Sequence, residues 1–142
     1  MSKGNTFEND LLKLVFNATA IANLADNATS APLTSLYVSL HTADPGEAGT
    51  EATSECGYTP YARAAVARTA GGWAVALSSV SPVADISFPM ATGGSETATH
   101  FAVGVAASGA TKVLYKGAIN PTIAISNGVQ PMLTTATAIS ED

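Results

Sequence analysis

Leu36-Tyr37-Val38-Ser39-Leu40 is the stretch on which the reading of this chain turns. Leu36, Val38 and Leu40 fall on one side of an extended backbone and Tyr37 and Ser39 on the other, the period-two alternation of a strand with one buried face. Asp44-Pro45-Gly46 ends the run with turn residues. A polar stretch rich in Gly, Thr and Glu follows to Gly57 and reads as a long loop, of a length that goes with contact or mobility. The strand pattern then resumes. Segments 61–68 and 73–77 flank Gly71-Gly72 and are expected to form a hairpin. Segment 86–88 lies between Pro82 and Pro89 and suits an edge position. Segment 97–105 sets Phe101, Val103 and Val105 on one face. Segments 112–119, 122–125 and 130–135 complete the series, divided by Asn120-Pro121 and Asn127-Gly128. About eight short strands at this spacing predict a mainly β fold, an antiparallel jelly-roll-like sandwich or small barrel.

Upstream the period changes. Phe7, Leu11, Leu14, Val15, Ala18, Ile21 and Ala22 recur every three or four residues, which predicts one amphipathic helix. Asn5 and Glu8 have capping-box spacing. The expected organisation is a single domain over residues 1–142, with a helical segment at 1–30 and a β-sandwich at 31–142. The apolar face carrying Leu11, Leu14 and Val15 needs a partner, either this domain's sheet or a neighbouring subunit.

Composition narrows the function classes. Only 12% of the 142 residues are charged, and the six Lys and Arg are scattered along a chain of net charge −5. A binder of nucleic-acid phosphates needs a basic stripe, so no nucleic-acid partner is expected. No apolar run has membrane-spanning length, so no membrane partner is expected either. One cysteine, Cys56, excludes an internal disulfide and a thiolate zinc site, and its place in the polar loop suggests an exposed thiol in a reducing compartment. His41, three residues before Asp44, invites a catalytic pairing with a distant serine, but no G-x-S-x-G elbow exists to supply it. His41 is therefore expected to hydrogen-bond a loop carbonyl, and His100 to be a partly buried strand residue. Asp44, Glu47, Glu51 and Glu55 lack the spacing of a calcium loop and read as solvated charge. No catalytic residue, cofactor or metal site is expected.

Residues 36–49 followed by Gly57-Tyr58-Thr59-Pro60-Tyr61-Ala62-Arg63 form a recognisable signature. Together with residues 9–17, Ile86-Ser87-Phe88-Pro89 and Ala98-Thr99-His100-Phe101, it resembles a family of small tailed-bacteriophage virion proteins, often labelled tail fibre proteins. The resemblance implies a non-enzymatic structural protein made in the bacterial host cytoplasm and carried in the virion. It implies first a capsid cement or decoration protein stabilising the head shell, and alternatively a tail, collar, fibre-associated or receptor-binding protein. Expected partners are other copies of the chain, as a dimer or higher homo-oligomer, with the major capsid protein or tail proteins. Expected interface residues are Leu11, Leu14, Val15, Tyr58, Tyr61, Arg63 and Trp73. The loop over residues 43–59 is expected to be mobile in the free chain and ordered on contact. His41→Ala and Glu51→Ala are each expected to leave particle assembly and infectivity near wild type.

Overall fold

The computed structural model describes residues 5–21, 25 and 32–140. Among them the chain order is α1 (Asn5–Asn17), β1 (Ser35–His41), β2 (Ala64–Ala67), β3 (Trp73–Ala76), β4 (Ser79–Pro82), β5 (Ile86–Ser87), β6 (Glu96–Gly104), β7 (Val113–Ile125), β8 (Met132–Leu133) and β9 (Ile139–Ser140). The fold is mainly β, in antiparallel sheets with one helix, and none of the sheets closes into a barrel. Two compact units divide the chain, and neither is contiguous: Met1–Ser35, Ala67–Asp85 and Leu133–Asp142 make one, Leu36–Val66 and Ile86–Met132 the other.

The second unit holds the sheet β2-β1-β6-β7. Leu36, Val38 and Leu40 are buried as their alternation requires. Ser39 and His41, on the opposite face, are buried as well, because residues 42–63 fold over that side (below). β1 and β6 pair antiparallel with Val38 opposite Val103 and His41 opposite His100. β7 runs unbroken through Asn120-Pro121, where the sequence suggested two strands. The turn residues instead produce a register shift: Ala98 faces Ile123 while His100 faces Ala118, which leaves residues 119–122 opposite Thr99 alone. Lower down, Phe101 faces Gly117, where a Cβ would come within 2.8 Å of the Phe101 ring. The glycine makes room for the ring.

The first unit holds α1 and the sheet β3-β4-β9. Its helix buries a different stripe from the expected one. Glu8, Leu12 and Phe16 are buried, while Leu11, Leu14 and Val15 are only half-buried and Phe7 is exposed. Side chains four apart stack along one face of a helix, and this stripe is chosen by the ring of Phe16, which meets Trp73 edge-on at 4.7 Å. The helix ends at Asn17, with Ala18 in the left-handed region at φ 53° and the Thr19 N–H reaching the Lys13 carbonyl at 3.1 Å. The Arg68 guanidinium donates to the carbonyls of Leu14 and Val15, two of the last four, which have no partner inside the helix. The expected continuation through Ala18 and Ile21 is corrected: residues 18–20 are not helical and Ile21 pairs with Ala25 in a bridge, while Ala22 and the side chain of Asn5 lie outside the described residues. Glu8 accepts a hydrogen bond from the Ser78 hydroxyl at 2.6 Å.

The hairpin of this unit is also not the expected one. β3 pairs with β4, an element the sequence reading omitted, across the two-residue loop Leu77-Ser78. Gly71-Gly72 serves only as the turn into β3, with the Gly72 N–H on the Thr69 carbonyl. Leu77 and Ser78 both have positive φ, 50° and 60°, the signature of a type I′ turn.

Candidate functional site

The signature segment between β1 and β2 is bound into the sheet of its own unit. The Thr42 N–H donates to the Ser54 carbonyl and the Cys56 N–H to the Leu40 carbonyl, both at 2.8 Å, so residues 54–56 run beside the end of β1. Leu40 gives its own N–H to the Tyr61 hydroxyl at 3.0 Å. At the start of the segment Asp44 accepts the Gly46 N–H at 2.8 Å, which closes the expected turn.

Arg63 locks the arrangement. Its Nε and Nη2 donate to the two oxygens of Glu55 at 2.7 and 2.8 Å, the planar fork meeting the carboxylate two-on-two. Nη1 donates to Glu51 Oε2 at 3.1 Å, the Ala106 carbonyl at 2.9 Å and Thr111 Oγ1 at 3.2 Å. Nη2 also donates to the Gly109 carbonyl at 2.8 Å. An arginine has five N–H groups, and these contacts occupy them all. The Glu55 carboxylate, ahead of Glu51, holds the guanidinium above its usual range, while burial works the other way.

Glu51 is wholly buried. Its N–H donates to the Thr111 carbonyl at 2.9 Å, and its Oε2 accepts the Thr111 hydroxyl at 2.6 Å. Space for the carboxylate exists because residue 104 is glycine: a Cβ there would lie 1.9 Å from the Glu51 carboxyl carbon. Glu51 Oε1 is buried against this backbone with no hydrogen-bond partner among the described residues. The cluster thus joins the 43–59 segment, β2's approach, the end of β6 and the β6–β7 connection.

Around it the remaining polar groups are also satisfied internally. The Tyr61 hydroxyl donates to Glu55 Oε1 at 3.0 Å, and the Tyr61 ring stacks on Phe88 at 6.4 Å. Burial pushes the Tyr61 phenol well up. Glu96 Oε1 accepts the N–H groups of Gly57 and Tyr58, both at 2.9 Å, and the Tyr58 hydroxyl donates to the Pro89 carbonyl at 2.8 Å. His41 Nδ1 lies 2.8 Å from the Thr53 carbonyl, which only accepts, so this nitrogen carries the proton. Burial holds the imidazole below its ordinary pKa. Its Nε2 then accepts from the Ser39 hydroxyl at 2.9 Å.

The structure therefore separates the residues that the sequence reading grouped. Tyr58, Trp73 and Arg63 are buried by their own chain, and Arg63 has no N–H left for a partner. Tyr61, Leu11, Leu14 and Val15 are half-buried. The acidic residues divide too. Asp44 and Glu47 are exposed, with Asp44 paired to Lys116 at 2.9 Å, whereas Glu51 and Glu55 serve the buried cluster. The reading of Glu51 and Glu55 as solvated charge is corrected: acidic residues a few positions ahead of Arg63 are the signal in the sequence, and Gly104 carries none. Cys56 is corrected likewise. It is buried, and its thiol is pushed up to about 12, by burial first and then by Glu96.

Ser39 and His41 have the spacing of a nucleophile and base, but both are wholly buried and the imidazole is oriented by a backbone carbonyl. Among the described residues no group of three His, Cys, Asp or Glu side chains could hold a metal ion, and no helix is long and apolar enough to cross a membrane. What the site does well is fix a loop. A family model described as podophage GP4 fiber I protein gp80 matches residues 2–139, which takes in both units and the clamped segment. The chain belongs to that family. Membership makes it a phage virion structural protein, associated with the particle. No curated protein matches the chain.

Proposed function

We propose that the chain is a non-enzymatic component of the tail fibre apparatus, a small β module that presents its 43–59 segment already shaped for contact. The observation that carries this reading is the match of nearly the whole chain to a fibre family. The Arg63 cluster supports it, because a loop ordered in advance loses less conformational entropy when it docks. The burial of Ser39 and His41 supports a role without chemistry, since no substrate reaches them. Tail proteins are the proposed partners. The cement role implied first by the resemblance takes second place, because the family's description names a fibre.

Quantitative mass spectrometry of purified particles, normalised to the major capsid protein, tests the assignment. A fibre component is expected at roughly three to a few dozen copies, set by the symmetry of the tail. A count on the order of hundreds, as the symmetry of a shell requires, would overturn it in favour of a capsid cement protein.

A further inference from the structure

The Leu77-Ser78 tip of the β3–β4 hairpin brings two unfavourable features together at one residue. Leu77 has φ 50°, in the left-handed region that suits Asn or Gly. Its side chain is also 93% exposed, whereas Phe7, Leu33, Val83, Met90 and Met132 lie between 41% and 51%. A single exposed leucine is ordinary on a protein surface. A leucine exposed on a strained backbone is not, because such strain gathers where a protein makes contact or does chemistry. The tip is also held firmly. The Ser78 N–H donates to Asn9 Oδ1 at 2.7 Å and its hydroxyl to Glu8 Oε2 at 2.6 Å. Below the turn Ala76 pairs with Ser79 and Trp73 with Pro82, and the Trp73 ring meets Phe16 at 4.7 Å. The hairpin thus carries Leu77 outward as a fixed knob. No charged residue lies within residues 73–82. Phe7, the neighbour of Glu8 in the helix, is exposed as well, so a second apolar side chain stands at this end of the unit.

We propose that Leu77 is a docking knob that inserts into a recessed, uncharged apolar pocket of a different virion protein. The inference rests on membership of the virion family and holds whether the chain sits in head or tail. The tip defines its receptor. A convex surface is buried only by a concave one, and an uncharged hairpin would leave any charge lining that pocket desolvated and unpaired. A second copy of the chain fits poorly. About a two-fold axis the tip would meet its own image, two convex surfaces with little area between them. Seated on another patch of a second copy, it would make a head-to-tail contact that propagates unless it closes. A lipid surface fits poorly too. No basic residue lies in 73–82 or 5–12 to hold an anionic bilayer, and Glu8 and Asp10 carry the opposite sign. Because the tip is already ordered, docking it costs little conformational entropy.

The strain makes a test in which stability and docking move in opposite directions. Leu77→Asn suits the backbone and removes the knob, whereas Leu77→Met keeps an apolar knob of similar volume. Each variant is co-expressed in equal amount with the wild-type chain during phage growth, and mass spectrometry of purified particles reads the ratio incorporated. Leu77→Asn is expected to melt at a higher temperature as free protein yet to enter particles at least roughly tenfold less often than wild type. Leu77→Met is expected to compete within about twofold. Leu77→Asn incorporated as well as wild type, or equal loss for both variants, would overturn the proposal. Replacing Leu77 by photoreactive p-benzoylphenylalanine and irradiating intact particles identifies the neighbour. A cross-link to a different virion protein is expected, and a cross-link only to another copy of the chain, or none, refutes the inference. Flotation of the free protein with phosphatidylglycerol–phosphatidylethanolamine vesicles, lost in Leu77→Asn, would assign the knob to lipid and refute it equally.

Discussion

Arg63 holds two carboxylates, two carbonyls and a hydroxyl inside the protein, so its removal leaves the Glu51 and Glu55 charges stranded. Breaking a buried pair from one side costs about 3–5 kcal/mol, and that is the expected loss for Arg63→Ala in denaturant unfolding. Arg63→Lys should recover little of it, because an ammonium cannot bridge both Glu55 oxygens as a planar fork does. Stability within about 1 kcal/mol of wild type for either variant would mean that the cluster is solvated and weak. His41 gives the residue scale a pH dependence. Burial lowers its pKa from 6.5, outweighing the opposing Thr53 carbonyl and the charges of Glu55 and Glu51. The unfolded chain then takes up a proton that the folded chain refuses, so the stability His41 contributes is complete above pH 6.5 and fades as the pH falls below it. Unfolding midpoints measured from about pH 8 to about pH 5.5 should decline more steeply for wild type than for His41→Asn. Parallel declines would assign the acid sensitivity to the carboxylates. The sequence expectation that His41 binds a loop carbonyl agrees with its contact to Thr53, whereas the reading of Glu51 as solvated loop charge does not agree with its buried ion pair.

The β3–β4 hairpin is the element that conflicts most with its own sequence. A type I′ turn favours Asn-Gly, yet Leu77 and Ser78 occupy it, with Leu77 almost fully exposed at 93%. A left-handed backbone costs a residue such as leucine roughly 1–2 kcal/mol. Contacts from the helix offset that cost: the Ser78 N–H donates to Asn9 Oδ1 at 2.7 Å and its hydroxyl to Glu8. Leu77→Asn keeps both contacts and relieves the backbone, so it should stabilise the protein by about 1 kcal/mol, read as a higher melting temperature. A lower one would show that Leu77 packs usefully despite its exposure. The same hairpin explains which elements were legible in sequence. β1 and β6 show their alternation because neighbours pair along their lengths, and β-branched and aromatic residues fill them. β4 is Ser79-Val80-Ser81-Pro82, with one strongly strand-forming residue and a proline, and its strand state comes from pairing with β3 and β9. The helix was legible as an element but not in its facing, since Leu11, Leu14 and Val15 outnumber Leu12 and Phe16, and only the Trp73 ring decides between the two stripes.

On the scale of the whole molecule the chain passes between its two units four times, at residues 35/36, 66/67, 85/86 and 132/133. Neither unit can form from one uninterrupted segment, yet each carries its own means of cohesion. In the first, Phe16 on Trp73 and Arg68 at the helix end join α1 to the segment carrying β3 and β4, and the last segment adds β9 beside β4 through the Val80–Ile139 pair. In the second, β1, β6 and β7 are joined by ladders and by the Arg63 cluster, whose members all lie within Leu36–Val66 and Ile86–Met132. A chain built this way should open unit by unit, since cooperative units follow contiguous packing rather than sequence order. Deleting residues 139–142 removes β9 and bares the edge of β4. Hydrogen exchange on that variant should show α1, β3 and β4 losing protection by roughly tenfold or more, corresponding to about 1.4 kcal/mol of local opening free energy. β1 and β6, secured by the Arg63 cluster, should keep theirs. Arg63→Ala should give the reverse pattern, with β1, β6 and the 43–59 segment weakened and the helix unit spared. Uniform loss across both units in either variant would mean that they unfold as one, and that the interleaved chain path, rather than the local packing, governs cooperativity.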